Sequence, residues 1–189
     1  YHYNNSHFIG ESPVKIRSEI KGGELPKLEN IVQIKNKIGI DQNPIDLKVN
    51  ENANWLKAFV WADNTERLEK VEQAIQIAQQ EHIQFKKAKT ILEFEEIIQN
   101  QEKNTPLVIY HTHVLYQFTV EERKEFWGLI DTIGSNRDLT YLAAEGRSVF
   151  KKDYGLNATI VEITKYQKGV KTTEVVATTN GHANRIIWN

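Results

Sequence analysis

The 189-residue sequence contains neither cysteine nor methionine. Without cysteine there is no disulfide, no thiolate nucleophile and no thiolate zinc site. The missing methionine and the start on Tyr1 suggest the carboxy-terminal part of something longer. The lack of cysteine fits a reducing, cytoplasmic setting; no apolar run approaches the ~20 residues of a membrane span, and no signal peptide is read. The net charge is −1, and lysines and arginines are scattered, which leaves no electrostatic footprint for nucleic acid or an anionic membrane. Gly-x-Gly occurs nowhere, so the glycine turn of a dinucleotide site is absent as well. Internal repeats and low-complexity stretches are also missing.

What is present is an ordinary globular balance, 40% hydrophobic and 26% charged, enough for a single α/β domain over 1–189. The most informative stretch is Thr105 to Phe118. Leu107, Val108, Ile109 and Tyr110 form a short continuous apolar run after Pro106, the pattern of a strand buried on both faces in a parallel sheet. Ligands in open α/β sheets sit beyond the carboxyl ends of such strands, and His111, Thr112 and His113 stand there.

Other segments follow the same logic. Val14–Ile20 alternates and predicts a half-exposed strand ended by Gly22-Gly23, with a connection or short helix start after Pro26. Ile38-Gly-Ile-Asp41 predicts a short strand running into an acid, and Pro44 halts its pairing. Asn54–Gln80 is expected to be helical, with Asp63 as the cap of its main helix, Glu66 reaching back, and Trp55, Phe59, Val60 and Trp61 in a separate helical turn before that cap. Thr90–Glu93 and Thr119–Glu122 are two further capping boxes, the second opening a helix with Phe126, Leu129, Ile130 and Ile133 on one face and Gly134 as its stop. His82–Phe85 and Leu139–Ala144 read as strands. Ala158–Tyr166 and Thr172–Ala177, joined through Lys168-Gly169, read as an antiparallel hairpin. Alternating β and α predicts a mostly parallel Rossmann-like sheet with helices on both faces and that hairpin at its edge.

Several phrases together resemble domain-of-unknown-function family 2332. They are Tyr1-His-Tyr3, Ser12–Glu19, Gly39-Ile-Asp-Gln-Asn-Pro-Ile-Asp46, Trp55-Leu-Lys-Ala-Phe-Val-Trp61 with Arg67, His111-Thr-His113, and Gly181-His182 with Trp188. The resemblance implies a fold similar to S-adenosylmethionine-dependent methyltransferases, in which a helical segment, a first strand and a glycine loop precede the Tyr-x-Tyr phrase. On that reading the first strand and its glycine loop lie outside this chain. The sheet then needs a missing amino-terminal segment or a second chain to complete it, between the Ile38 strand and the Val108 strand.

Three functions compete. In a methyltransferase-like enzyme the resemblance makes S-adenosylmethionine the cofactor. Asp41 and Asn43 would hold its ribose, Ala88 and Lys89 would border the adenine, and Thr112 would complete the cofactor side. His111 and His113 would be the catalytic pair, a base being needed only if the acceptor loses a proton. Trp61, Glu145 and His182 would face the substrate. Each residue has a plainer reading too: Asp41 as a turn cap, Trp61 as a core seal, Glu145 as a turn acceptor, His182 as a fastener of the last strand. The second function is a non-catalytic, degenerate interaction module. The third is a metal hydrolase in which His111 and His113, two apart on a strand, chelate zinc with Glu145 or His182.

Overall fold

The structure, a computed structural model, describes residues 1–4, 7–26, 33–150 and 158–189. The connection expected after Pro26 falls mainly on 27–32, outside the described residues. In chain order the elements are β1 (His2–Tyr3), β2 (His7–Phe8), β3 (Arg17–Gly22), β4 (Lys37–Asp41), α1 (Asn50–Ala58), α2 (Thr65–Gln80) and β5 (Ile83–Lys87). Then come α3 (Ile91–Gln99), β6 (Leu107–Thr112), a 3-10 turn (Leu115–Gln117), α4 (Val120–Asn136), β7 (Leu139–Gly146), β8 (Thr159–Gln167), β9 (Val170–Thr179) and β10 (Arg185–Trp188).

The helices begin where local chemistry dictates. At Thr90 and Thr119 the hydroxyl accepts the amide of Glu93 or Glu122, and that glutamate reaches back to the cap's own amide. For α2 the cap is Asn64 rather than Asp63: its side chain accepts from the Arg67 amide at 3.1 Å. The separate helical turn expected around Trp55–Trp61 is α1, which begins earlier and ends at Ala58, and the chain breaks around Phe59–Asn64 before α2.

The mostly parallel, methyltransferase-like sheet expected from the β/α alternation is not formed. Eight strands make one mixed sheet in the order β2-β1-β3-β10-β9-β8-β7-β6, and β4 and β5 form a separate parallel pair. In the large sheet, β1–β3, β3–β10 and β6–β7 are parallel, whereas β1–β2, β9–β10, β8–β9 and β7–β8 are antiparallel. The reason lies in the connections. Parallel neighbours need long crossovers, and the β8–β9 connection has only two residues. There Lys168 and Gly169 both take positive φ, 51° and 78°, the backbone of a type I′ hairpin turn. The hairpin is also not an edge: β10, β3, β1 and β2 extend the sheet beyond it.

One face of this sheet carries the core. Phe126, Leu129, Ile130 and Ile133 of α4 pack on Leu139, Tyr141 and Ala143 of β7 and Tyr166 of β8, joined by Ile98, Ile109 and Leu115. The fit is tightest at Gly134, where a Cβ would lie 2.2 Å from the Tyr166 ring. Side chains on the opposite side of β6 are bare: Val108 is 60% and Tyr110 72% exposed, against 9% for Ile109.

Candidate functional site

The pairing brings several predicted residues to one sheet edge. β7 and β9 are both antiparallel to β8, and β6 is parallel to β7, so the carboxyl ends of β6, β7 and β9 lie on the same side. His111 and Thr112 end β6, and Glu145 is next to last in β7. His182 follows β9 on an exposed loop, two strands along the same edge from β7.

His111 and Glu145 meet inside the protein. Glu145 is wholly buried, and its Oε1 lies 2.9 Å from His111 Nδ1. The same oxygen accepts the amides of Val114 at 2.6 Å and Leu115 at 2.8 Å. Burial pushes the Glu145 carboxyl up, but the His111 bond and the two amides outweigh it and hold the carboxyl below its ordinary value. His111 Nε2 lies 2.6 Å from the Tyr141 hydroxyl, which also bonds Trp127. A neutral imidazole with its proton on Nδ1 satisfies the whole chain: it donates to Glu145, accepts from Tyr141, and leaves the phenol oxygen to accept the indole N–H.

The consequence for chemistry is direct. Both ring nitrogens of His111 are engaged, so in this geometry it orients its neighbours rather than offering a lone pair to a substrate. His113 is held differently. Its backbone takes φ 52°, a left-handed conformation that turns the chain out of β6, and its amide donates to the Ala144 carbonyl at 3.0 Å. Its Nε2 is 3.4 Å from Thr159 Oγ1, a long contact that leaves this imidazole the more available of the two. Because His113 has left the strand, the shared-face argument for zinc fails. Among the described residues no group of three His, Asp or Glu is placed to hold a metal ion.

A second group sits at the carboxyl end of the β4–β5 pair. The Ala88 amide donates to the Asp41 carbonyl at 3.0 Å, fastening the two strand ends together. Asp41 Oδ1 accepts the Asn43 amide at 2.7 Å, the turn-cap role, while Oδ2 bonds nothing among the described residues and the side chain is exposed. Ala88 is buried and small, and the Lys89 amide is taken by Glu93 Oε2 at 2.5 Å. Asp41, Asn43, Ala88 and Lys89 are therefore brought together as expected of neighbours. Trp61 is 82% exposed after α1 and seals no core.

Tyr141, Trp127 and the Val114 and Leu115 amides belong to the His111 cluster and were missed from sequence. Strand alternation puts Tyr141 on the same face as Glu145, a usable signal. The amides carry none, since their direction depends on the turn after His113.

No helix among the described residues is long and apolar enough to cross a membrane. A family model described as an uncharacterized protein conserved in bacteria (DUF2332) matches residues 1–188. No curated protein and no solved structure matches the chain.

Proposed function

The chain belongs to the DUF2332 family, and on that premise we propose that it binds an adenosyl cofactor, S-adenosylmethionine, and passes its methyl group to an acceptor. The observation that carries this reading is Asp41. Its carboxylate is steadied through Oδ1 by the Asn43 amide and keeps Oδ2 exposed at a strand end, beside the small Ala88. A carboxylate fixed in that way can take a ribose hydroxyl, and Ala88 leaves room for the edge of a flat base. When bound, the cofactor supplies an electrophilic methyl group. The chain's own part is to hold the ribose at Asp41 and Asn43, border the base at Ala88 and Lys89, and present Thr112 and His113 at the end of β6. Trp61, exposed as it is, offers an apolar wall to an acceptor.

The decisive measurement is calorimetric titration of the natural full-length protein with S-adenosylmethionine. Binding that Asp41→Ala weakens by roughly tenfold or more supports the reading, as expected for losing a hydrogen bond to a charged group. No heat at millimolar cofactor overturns it.

The engagement of both His111 nitrogens favours the second reading, a non-catalytic member acting as an interaction module. Trp55 and Phe59, 63% and 68% exposed and stacked edge to face, with Trp61 nearby in sequence, give such a module an aromatic contact surface. No binding of S-adenosylmethionine or nucleotide analogues, together with a defined protein partner in a pull-down, is the outcome it predicts.

A further inference from the structure

We propose that the cleft at the amino ends of β1, β3 and β10 binds the phosphoryl group of a small molecule, with Arg17 as its main anchor. The site is separate from the Asp41 group, and phosphate should bind there with no cofactor present. His2, Asn4, Arg17, Ser18, Glu19 and Asn184 line a cavity of about 530 Å³ that opens to solvent. Arg17 and His2 are register partners in the parallel β1–β3 pair, which sets them side by side. β10 is antiparallel to β9, and β3 and β1 run parallel to β10, so these amino ends share the edge where His182 stands.

What the cleft offers is hydrogen-bond donors. The Arg17 guanidinium makes no hydrogen bond or ion pair among the described residues. Both acids near it are committed to lysines: Glu19 pairs with Lys21, and Glu66, which the Arg17 charge reaches, bonds Lys70 at 2.6 Å. Asn4 Oδ1 accepts the Ile20 amide at 2.7 Å, which leaves its amino group as the part it can offer. Asn184 is fixed in the same way at one remove. The Arg185 amide donates to Asn180 Oδ1 at 3.3 Å, so the Asn180 amino group must face Asn184 Oδ1, at 2.6 Å. Desolvation and the charges around it, Lys15 and Arg17 among them, hold the His2 imidazole below its ordinary value, and in the neutral form it still supplies one N–H. A guanidinium fork, two amide donors and an imidazole, beside a carboxylate that is already paired, complement an anion with several oxygens.

The backbone supports the same site. Asn4 and Ala183 hold left-handed conformations at φ 48° and 50°. Alanine has no side-chain oxygen to favour that region, and strain of this kind gathers at ligand sites. Here the Ala183 carbonyl takes the Ser18 hydroxyl, which docks the loop carrying Asn184 onto β3. The donors come from three strands, Asn4 after β1, Arg17 in β3 and Asn184 before β10. Three phosphoryl oxygens, pointing in three directions, meet such donors better than the coplanar pair of a carboxylate. The cavity is larger than one phosphate, so the anion is part of a larger molecule.

The test is titration of the natural full-length protein with inorganic phosphate at fixed ionic strength, followed by backbone amide shifts, with acetate as the comparison. Saturable shifts at 17–19 and 184, tighter for phosphate than for acetate, are expected. Arg17→Ala and Asn184→Asp should each weaken phosphate binding by roughly tenfold or more, as for losing a hydrogen bond to a charged group. Asn184→Asp keeps the oxygen that the Asn180 amino group needs, so the loop stays in place and only the donor is lost. Lys124→Ala, at an exposed lysine on α4, should leave binding unchanged. No saturable shift at millimolar phosphate overturns the proposal. So does tighter binding of acetate, or an equal weakening by Lys124→Ala, which would mark a diffuse field rather than a site.

Discussion

The carboxylate of Glu145 and the imidazole of His111 face each other at 2.9 Å in a site where Glu145 has no solvent exposure. One oxygen, Oε1, gathers three N–H groups, while Oε2 is buried without a partner among the described residues. The pair ties the end of β6, the 3-10 turn and β7 into one unit. That unit fixes where the chain goes after His113.

Removing the carboxylate should therefore be expensive. Glu145→Ala takes the acceptor from two backbone amides and an imidazole N–H, the Leu115 amide among them buried, and the expected loss is roughly 3 kcal/mol. The sign with pH follows from the lowered carboxyl. Its contribution is fully present above the unfolded value, about 4.3, and is lost as pH falls through the folded one. Urea unfolding of both proteins at neutral pH and in acid checks this: the difference between them should shrink on acidification.

Gly134 and Gly128 lie on the same helix and should respond in opposite directions. Alanine at Gly128 meets nothing within 4 Å and should gain up to about 1 kcal/mol of helix propensity. Alanine at Gly134 gains the same propensity but drives a methyl into the Tyr166 ring. That ring is 4% exposed, and its hydroxyl donates to Asp131 at 2.5 Å, so it has little freedom to withdraw. Overpacking costs about 1–3 kcal/mol, which makes the net change destabilising. Thermal unfolding of the two variants measures the contrast, and equal shifts would contradict the close contact.

Tyr141 and Tyr166 should be the last tyrosines to ionise. Burial is the main cause in both. The charges of Glu145, Glu162 and Tyr166 raise Tyr141 further, whereas its bond to Trp127 works the other way; the Asp131 carboxylate raises Tyr166. With the folded value raised, the stabilising effect is complete below the unfolded value, about 10, and disappears as pH rises past it. Phenolate absorbance followed together with near-UV circular dichroism tests this. These two groups should ionise only as tertiary structure is lost, and Tyr141→Phe should remove one of the late steps.

The helices were legible because their determinants are local. Thr119 and Glu122 are three residues apart, and Phe126, Leu129, Ile130 and Ile133 share a face whatever packs on it. The Lys168-Gly169 turn was legible for the same reason. The gathering of Asp41 with Ala88 followed from two strands of a parallel pair ending together. The cap of α2 slipped from Asp63 to Asn64 because both are good acceptors and only the geometry of the break after Phe59 chooses between them.

Strand order is a different kind of property. A backbone edge accepts any strand that reaches it, so nothing in Tyr1–Gly22 announces that β3 will pair with β10, or that the hairpin will lie inside the sheet. The role of His111 was likewise settled in space, when the turn at His113 swung the Val114 and Leu115 amides onto the Glu145 oxygen that already held the imidazole. Composition and periodicity determined which segments become helix and strand and which faces are apolar. The long-range pairing of those faces alone decided that the sheet is mixed, and that one histidine is locked while its neighbour faces the edge.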